Sequence, residues 1–300
     1  NDAVDLGGDA ATADALGGAF SLAVLAGTGQ VDLPVITEIT GLTTTSGDIN
    51  IAKAITVAGR VSMTATSGTV DVDATLTATG AAGDVVISHS GTGDVEIDAA
   101  VSADRGIDIT SGNAINIGAG GVTVLTAQND LTLAAADNIE LKTATSGLDS
   151  AGGHLVLRGG TDVGEGVPDG GTFIGVADTT LKSFLDTTIS GTGSTGTTLN
   201  VIGLTSNGSI GISQDDPINI NGISAVNDIS VASAAGVTVE GNVDSSGGEI
   251  FLESDSDGAG AENLKLNLGT TLIAGTVTLT SNTGLVDIDA NPNNTDGGIT

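Results

Sequence analysis

The 300-residue chain (28.9 kDa) carries 37 Asp+Glu against 7 Lys+Arg, a formal net charge of -30, so no basic surface remains to meet nucleic-acid phosphates or anionic lipid heads. Aromatic residues are 1% of the chain, with no Tyr or Trp, which leaves almost no stacking platforms for sugars or bases, and the absence of Cys excludes disulfides, thiolate metal ligands and a Cys nucleophile. Hydrophobic residues at 39% are too many for a disordered acidic tail, and the chain is expected to fold.

Residues 1–42 read as an irregular N-terminal segment or the end of a preceding module. Their longest apolar run, Leu16 to Ala26, is about half of the roughly 20 residues that a membrane span requires, so no membrane insertion is expected. No initiating Met and no basic-flanked leader precede it, so the sequence is read as starting inside a mature, exported protein.

From residue 43 to 145 a repeat sets in. The pairs Ser46-Gly47, Ser67-Gly68, Ser90-Gly91 and Ser111-Gly112 fall 21, 23 and 21 residues apart. Each is followed by an apolar-x-apolar triplet: Ile49-Asn50-Ile51, Val70-Asp71-Val72, Val95-Glu96-Ile97 and Ile115-Asn116-Ile117. Alternation with β-branched residues predicts short strands with one buried face and the polar middle residue outward. Within one repeat, Ile49/Ile51, Ile55/Val57 and Val61/Met63 stand six residues apart, predicting three strands to a coil. The theme continues through Val70/Val72, Leu76, Val85/Ile87, Val95/Ile97, Val101, Ile107/Ile109, Val122/Val124, Leu131/Leu133, Ile139/Leu141 and Leu155/Leu157. Triplets this short do not fill sandwich strands, whose usual length is about five or six residues. They suit a solenoid in which each coil buries its apolar positions against its neighbours. Coils of roughly 21 residues predict about 14 turns and a rod of roughly 65 Å at the strand spacing.

Residues 146–198 break the rhythm. Arg158 to Gly171 is dense in turn formers and has no such triplet, and Phe173 and Phe184 supply two of the four aromatics. The segment is read as a lateral excursion or a set of widened coils. From 199 to 300 the triplets return, as Ile210/Ile212, Ile218/Ile220, Ile229/Val231, Val237/Val239, Ile250/Leu252, Leu264/Leu266, Val277/Leu279 and Val286/Ile288, and the coils are expected to continue beyond the segment.

The phrases Thr45-Ser46-Gly47-Asp48-Ile49-Asn50-Ile51 and Thr110-Ser111-Gly112-Asn113-Ala114-Ile115-Asn116-Ile117 resemble the right-handed parallel β-helices of the filamentous haemagglutinin type, the repetitive shafts of bacterial adhesins and autotransporter passengers. The resemblance implies an all-β, right-handed parallel β-helix in a secreted or surface-attached fibre, and it brings no catalytic residue with it.

Residue chemistry for other functions is sparse. His89 and His154 are expected about three coils apart, roughly 14 Å along the rod, as solvent-facing corner residues. Arg60, Arg105 and Arg158 belong to no recognisable carboxylate motif. Oxygen ligands at alternating positions make calcium a candidate at Asp255, Asp257 and Glu262, and at Asp287, Asp289 and Asn291, although neither set completes an EF-hand loop and no cofactor is required. The reading is therefore a non-enzymatic shaft of an extracellular, cell-surface adhesin or fibre. Its partners would be further repeats of the same longer chain, copies of itself, or a host or neighbouring-cell surface or matrix. Two alternatives are a self-assembling surface-layer or sheath subunit stabilised by calcium, and a β-helix polysaccharide lyase or hydrolase.

Overall fold

The computed structural model describes residues 4–5, 15–119, 123–137, 139–141, 147–159, 163–166, 172–174, 181–183, 187–191 and 199–288. All regular structure among them is β-strand, and no helix occurs. The strands form a parallel β-solenoid of about 22 residues per turn.

One coil shows how the sequence builds it. Asp48–Ile51, Ile55–Val57 and Val61–Ala65 are its three strands, and Val70–Val72, Leu76–Ala78 and Val85–His89 lie beneath them in the next. In-register parallel pairing repeats this downward. The first sheet stacks Ile49, Val70, Val95, Ile115 and Ile139. The second stacks Ile55, Leu76, Val101, Leu125 and Leu148. The third stacks Val61, Val85, Ile107, Leu131 and Leu155. Each of these side chains is at most 1% exposed. Burying one such aliphatic group contributes about 1.5–3 kcal/mol, offset by the entropy of ordering its coil, so stability comes from the number of stacked rungs. The first two sheets are joined where Leu199–Ser206 and Ile218–Ala225 run through both, Gly222 turning the corner at φ +82.

Two devices hold the corners in register. Ahead of the first inward residue of many strands stands Asp or Asn, whose side-chain oxygen accepts the backbone N–H of the matching position one coil on. The pairs are Asp48 with Thr69 (2.7 Å), Asp84 with Gly106 (3.1 Å), Asp94 with Ala114 (3.2 Å), Asp130 with His154 (2.9 Å), Asp228 with Glu249 (2.9 Å) and Asn263 with Leu285 (2.9 Å). Much of the corner acidity is therefore structural, since charged acceptors make stronger hydrogen bonds than neutral ones. The Ser-Gly pairs are the second device. A Cβ on Gly91 would meet the Ser67 backbone at 2.7 Å, and one on Gly112 would meet the Gly91 carbonyl at 3.1 Å. Glycine there lets one corner rest directly on the last.

Several expectations need adjustment. The third sheet holds twelve strands, from Ser21–Leu25 to Thr276–Ser281, so the described stack is roughly 50 Å long and has fewer, longer turns than the fourteen expected. Residues 15–42, expected to be irregular, already carry strands: Leu22 pairs Leu42, Val31 pairs Ile49 and Ile36 pairs Ile55. Their alternation was hidden by an irregularity in pairing beside Glu38, which adopts φ 59. Val124 points outward at 40% exposure while Leu125 and Ala127 are buried, so the expected Val122/Val124 triplet is one residue out of phase. Pairing of Leu125 between Val101 and Leu148 fixes the phase, and a one-residue slip reverses every side chain. Val122 itself lies outside the described residues.

Within 146–198 the described strands keep their places: Leu148 pairs Leu125, Leu155 pairs Leu131 and Ile189 pairs Leu157. The step from Leu155 to Thr187 is 32 residues, longer than the 24 from Leu131 to Leu155. Glu165 and Gly166 pair antiparallel with Phe173 and Thr172, which departs from the parallel rule. Phe184 and much of the Arg158 to Gly171 stretch lie outside the described residues. In the last described rung, Val277 and Leu279 are partly buried, and Val286 and Ile288 are exposed, because no described strand pairs on their far side.

Candidate functional site

The carboxylates named from spacing separate into different surroundings. Asp255 follows the strand Glu249–Ser254 in a left-handed conformation, φ 55, and is completely buried. Its carboxylate accepts the N–H of Gly260 (3.2 Å), the N–H of Thr283 (2.8 Å) and the Thr283 hydroxyl. Its carbonyl accepts Gly258 N–H (3.0 Å) and Asn282 Nδ2 (2.7 Å). The Thr283 hydroxyl, with the Gly260 and Thr283 N–H groups and the Glu262 side chain, holds the Asp255 carboxyl below the usual carboxylate range against the opposing effect of desolvation. Glu262 adds its carbonyl, which accepts the hydroxyls of Ser254 (3.2 Å) and Ser281 (2.8 Å). Asp255 and Glu262 are therefore brought together as a buckle between two coils.

Asp257 takes no part in that buckle; its Oδ1 caps the N–H of Ala259 at 3.0 Å. Asp287 stands on the outer face of Val286–Ile288, in register with Lys265. Asp289 and Asn291 lie outside the described residues. No group of three or more His, Asp and Glu side chains is arranged to hold a metal among the described residues.

The histidines and arginines do not converge. His89 ends the strand Val85–His89 facing inward, 3% exposed, with Nδ1 3.1 Å from the Ser111 hydroxyl, which corrects its expected place at a solvent-facing corner. The strand runs five residues, so period two carries position 89 inward with 85 and 87. Three strand steps separate its rung from Leu155, beside His154. Arg105 pairs with Asp84 at 3.3 Å on the surface, a contact worth about 0–1 kcal/mol.

A feature not singled out in the sequence is the outer face of the first sheet. Asp32, Asn50, Asp71, Glu96 and Asn116 stand on consecutive rungs as one column of carboxylates and amides. The corresponding outward places of the second sheet hold Thr56, Thr77, Ser102 and Thr126. Asp71 is pushed up to about 6, first by burial, then by Asp73, Glu96 and Asp98. The signal was present in the middle residues of the triplets, Asn50, Asp71, Glu96 and Asn116, but recognising it requires knowing which coil lies on which. No family of known proteins, no characterised protein and no solved structure matches the chain.

Proposed function

We propose that the chain is a structural shaft: a non-enzymatic, extracellular segment of a cell-surface adhesin or fibre whose work is to hold other parts of an assembly at a fixed distance. The observation that carries this reading is the in-register stacking of the three inward columns, coil upon coil, from Ile49 to Leu155. Parallel pairing of stacked coils resists bending and extension because deformation must break hydrogen bonds in several sheets together. Outward Asp and Glu keep neighbouring rods apart in solution. Several of the carboxylates are engaged in holding corners, as Asp130 does for His154 and Asp255 for Thr283.

The test is mechanical and chemical. Stretched singly between end tags, the chain is expected to stay at its folded length under load and then yield in coil-sized steps. A chain that extends smoothly at low force would defeat the shaft reading. Incubation with neutral and acidic polysaccharides is expected to release no reducing ends or unsaturated sugars. Release abolished by Arg158→Ala would instead identify a polysaccharide-cleaving β-helix.

A further inference from the structure

The column on the first sheet does more than decorate the rod. Asp71 and Glu96 are direct partners in neighbouring parallel strands, about 4.8 Å apart along the axis. Asp73 and Asp98 occupy the matching place just past those strands: Asp73 N–H donates to the Ile51 carbonyl at 3.1 Å and Asp98 N–H to the Val72 carbonyl at 2.9 Å. Four carboxyl groups thus share one two-rung patch. Within it and at its upper edge, the Oδ1 atoms of Asn50, Asp71 and Asp98 are buried and have no hydrogen-bond partner.

We propose that Asp71, Asp73, Glu96 and Asp98 form a proton-operated clamp between two coils, loosened when all four are ionised and closed when a proton enters the patch. An ionised carboxyl only accepts hydrogen bonds, so four of them leave buried oxygens unmatched and repel one another. One proton supplies an O–H donor where none existed and removes one of the repelling charges. The proposal concerns the stack itself and does not rest on what the shaft displays.

The groups facing Asp71 from each packed element point the same way. Just past its own strand stands Asp73, and the next coil contributes Glu96 and Asp98. The preceding coil contributes the neutral Asn50, with Asp32 one rung further and the exposed Lys53 beyond the strand. Two rungs below Asp71, Asn116 donates through Nδ2 to Asp94, so its amide is already engaged. Lys53 does not figure among the groups that set the titration of Asp71, which burial, Asp73, Glu96 and Asp98 push up to about 6. The folded-state value lies above the ordinary aspartate value of 3.8. The destabilisation is therefore complete above about 6 and is relieved as pH falls through that value. The fold should gain stability between pH 7.5 and pH 5, where ordinary carboxylates remain ionised.

Thermal melts at those two pH values test the clamp in three proteins. The wild type is expected to melt higher at pH 5, by about 3 °C or more. Asp71→Asn should melt higher than wild type at pH 7.5 and lose most of the rise at pH 5. Asp108→Asn, on the third sheet between Val86 and Thr132, should keep the whole rise. Amide exchange within Val70–Val72 and Val95–Ile97, corrected for its intrinsic pH dependence, should slow several-fold at pH 5. A wild type that melts no higher at pH 5, an Asp71→Asn variant that keeps the full rise, or exchange unchanged in those strands would each overturn the proposal.

Discussion

The carboxylate of Asp130 accepts the backbone N–H of His154, 24 residues further along the chain, at 2.9 Å. The same geometry recurs at Asp48, Asp84, Asp94 and Asp228, and Asn263 performs it without a charge. Asp130→Ala should therefore lower stability by about 1–3 kcal/mol, since it leaves an inter-coil donor without its acceptor. Asp130→Asn should recover most of that. Urea unfolding of the two variants decides the matter, and equal losses in both would show that charge, not the acceptor geometry, is what the corner needs.

Glycine at the Ser-Gly corners is required for space. A Cβ at Gly91 would lie 2.7 Å from the Ser67 backbone, which has no flexible end to move aside. Gly91→Ala should cost about 1–3 kcal/mol by forcing two coils apart. Gly27→Ala is a control of another kind: nothing lies within 4 Å, and only its φ of +62 opposes the change. Its cost should be nearer 1 kcal/mol. Melting temperatures of the two variants test this order.

Ile115 lies wholly buried between Val95 and Ile139 in the first sheet. Ile115→Asp places an unpaired carboxylate in the core, at a cost of about 3–5 kcal/mol. Coils contact only their neighbours, so damage should spread locally as protease cutting near residues 95–140 before the rest of the rod is lost. An unchanged melting temperature would contradict the inward assignment of the triplets.

Asp255 titrates in the opposite sense to Asp71. Its carboxyl is held below the ordinary aspartate value of 3.8 by Thr283, so its contribution to stability is present above that value and is lost as pH falls through the folded-state value. Thr283→Val removes the hydroxyl donor and should lower the melting temperature at pH 7, with the gap to wild type narrowing towards pH 3. A gap that is constant with pH would detach the effect from Asp255. Both Asp255 oxygens already have protein donors, so calcium titrated into the protein at pH 7 is expected to leave the melting temperature unchanged, and a marked rise would restore calcium to this buckle.

The sequence by itself determined the all-β solenoid, the three strands to a coil and most of the core. Ile49/Ile51, Ile55/Val57 and Val61/Met63 announce their inward faces because alternation is a local property that needs no knowledge of what lies beyond the strand. It named Asp255 and Glu262 only as calcium ligands together with Asp257, not as a buckle between coils. Only the tertiary structure decided the rest, because register between coils is a long-range quantity set by how many residues each turn consumes. That number changes from 22 between Val85 and Ile107 to 32 between Leu155 and Thr187. Stacking put Leu125 inward in place of Val124, carried His89 into the core, gave Asp130 its partner and seated Asp71 against Glu96. Each of these depends on which residue comes to lie one rung away, a distance of about 4.8 Å in space and some two dozen positions along the chain.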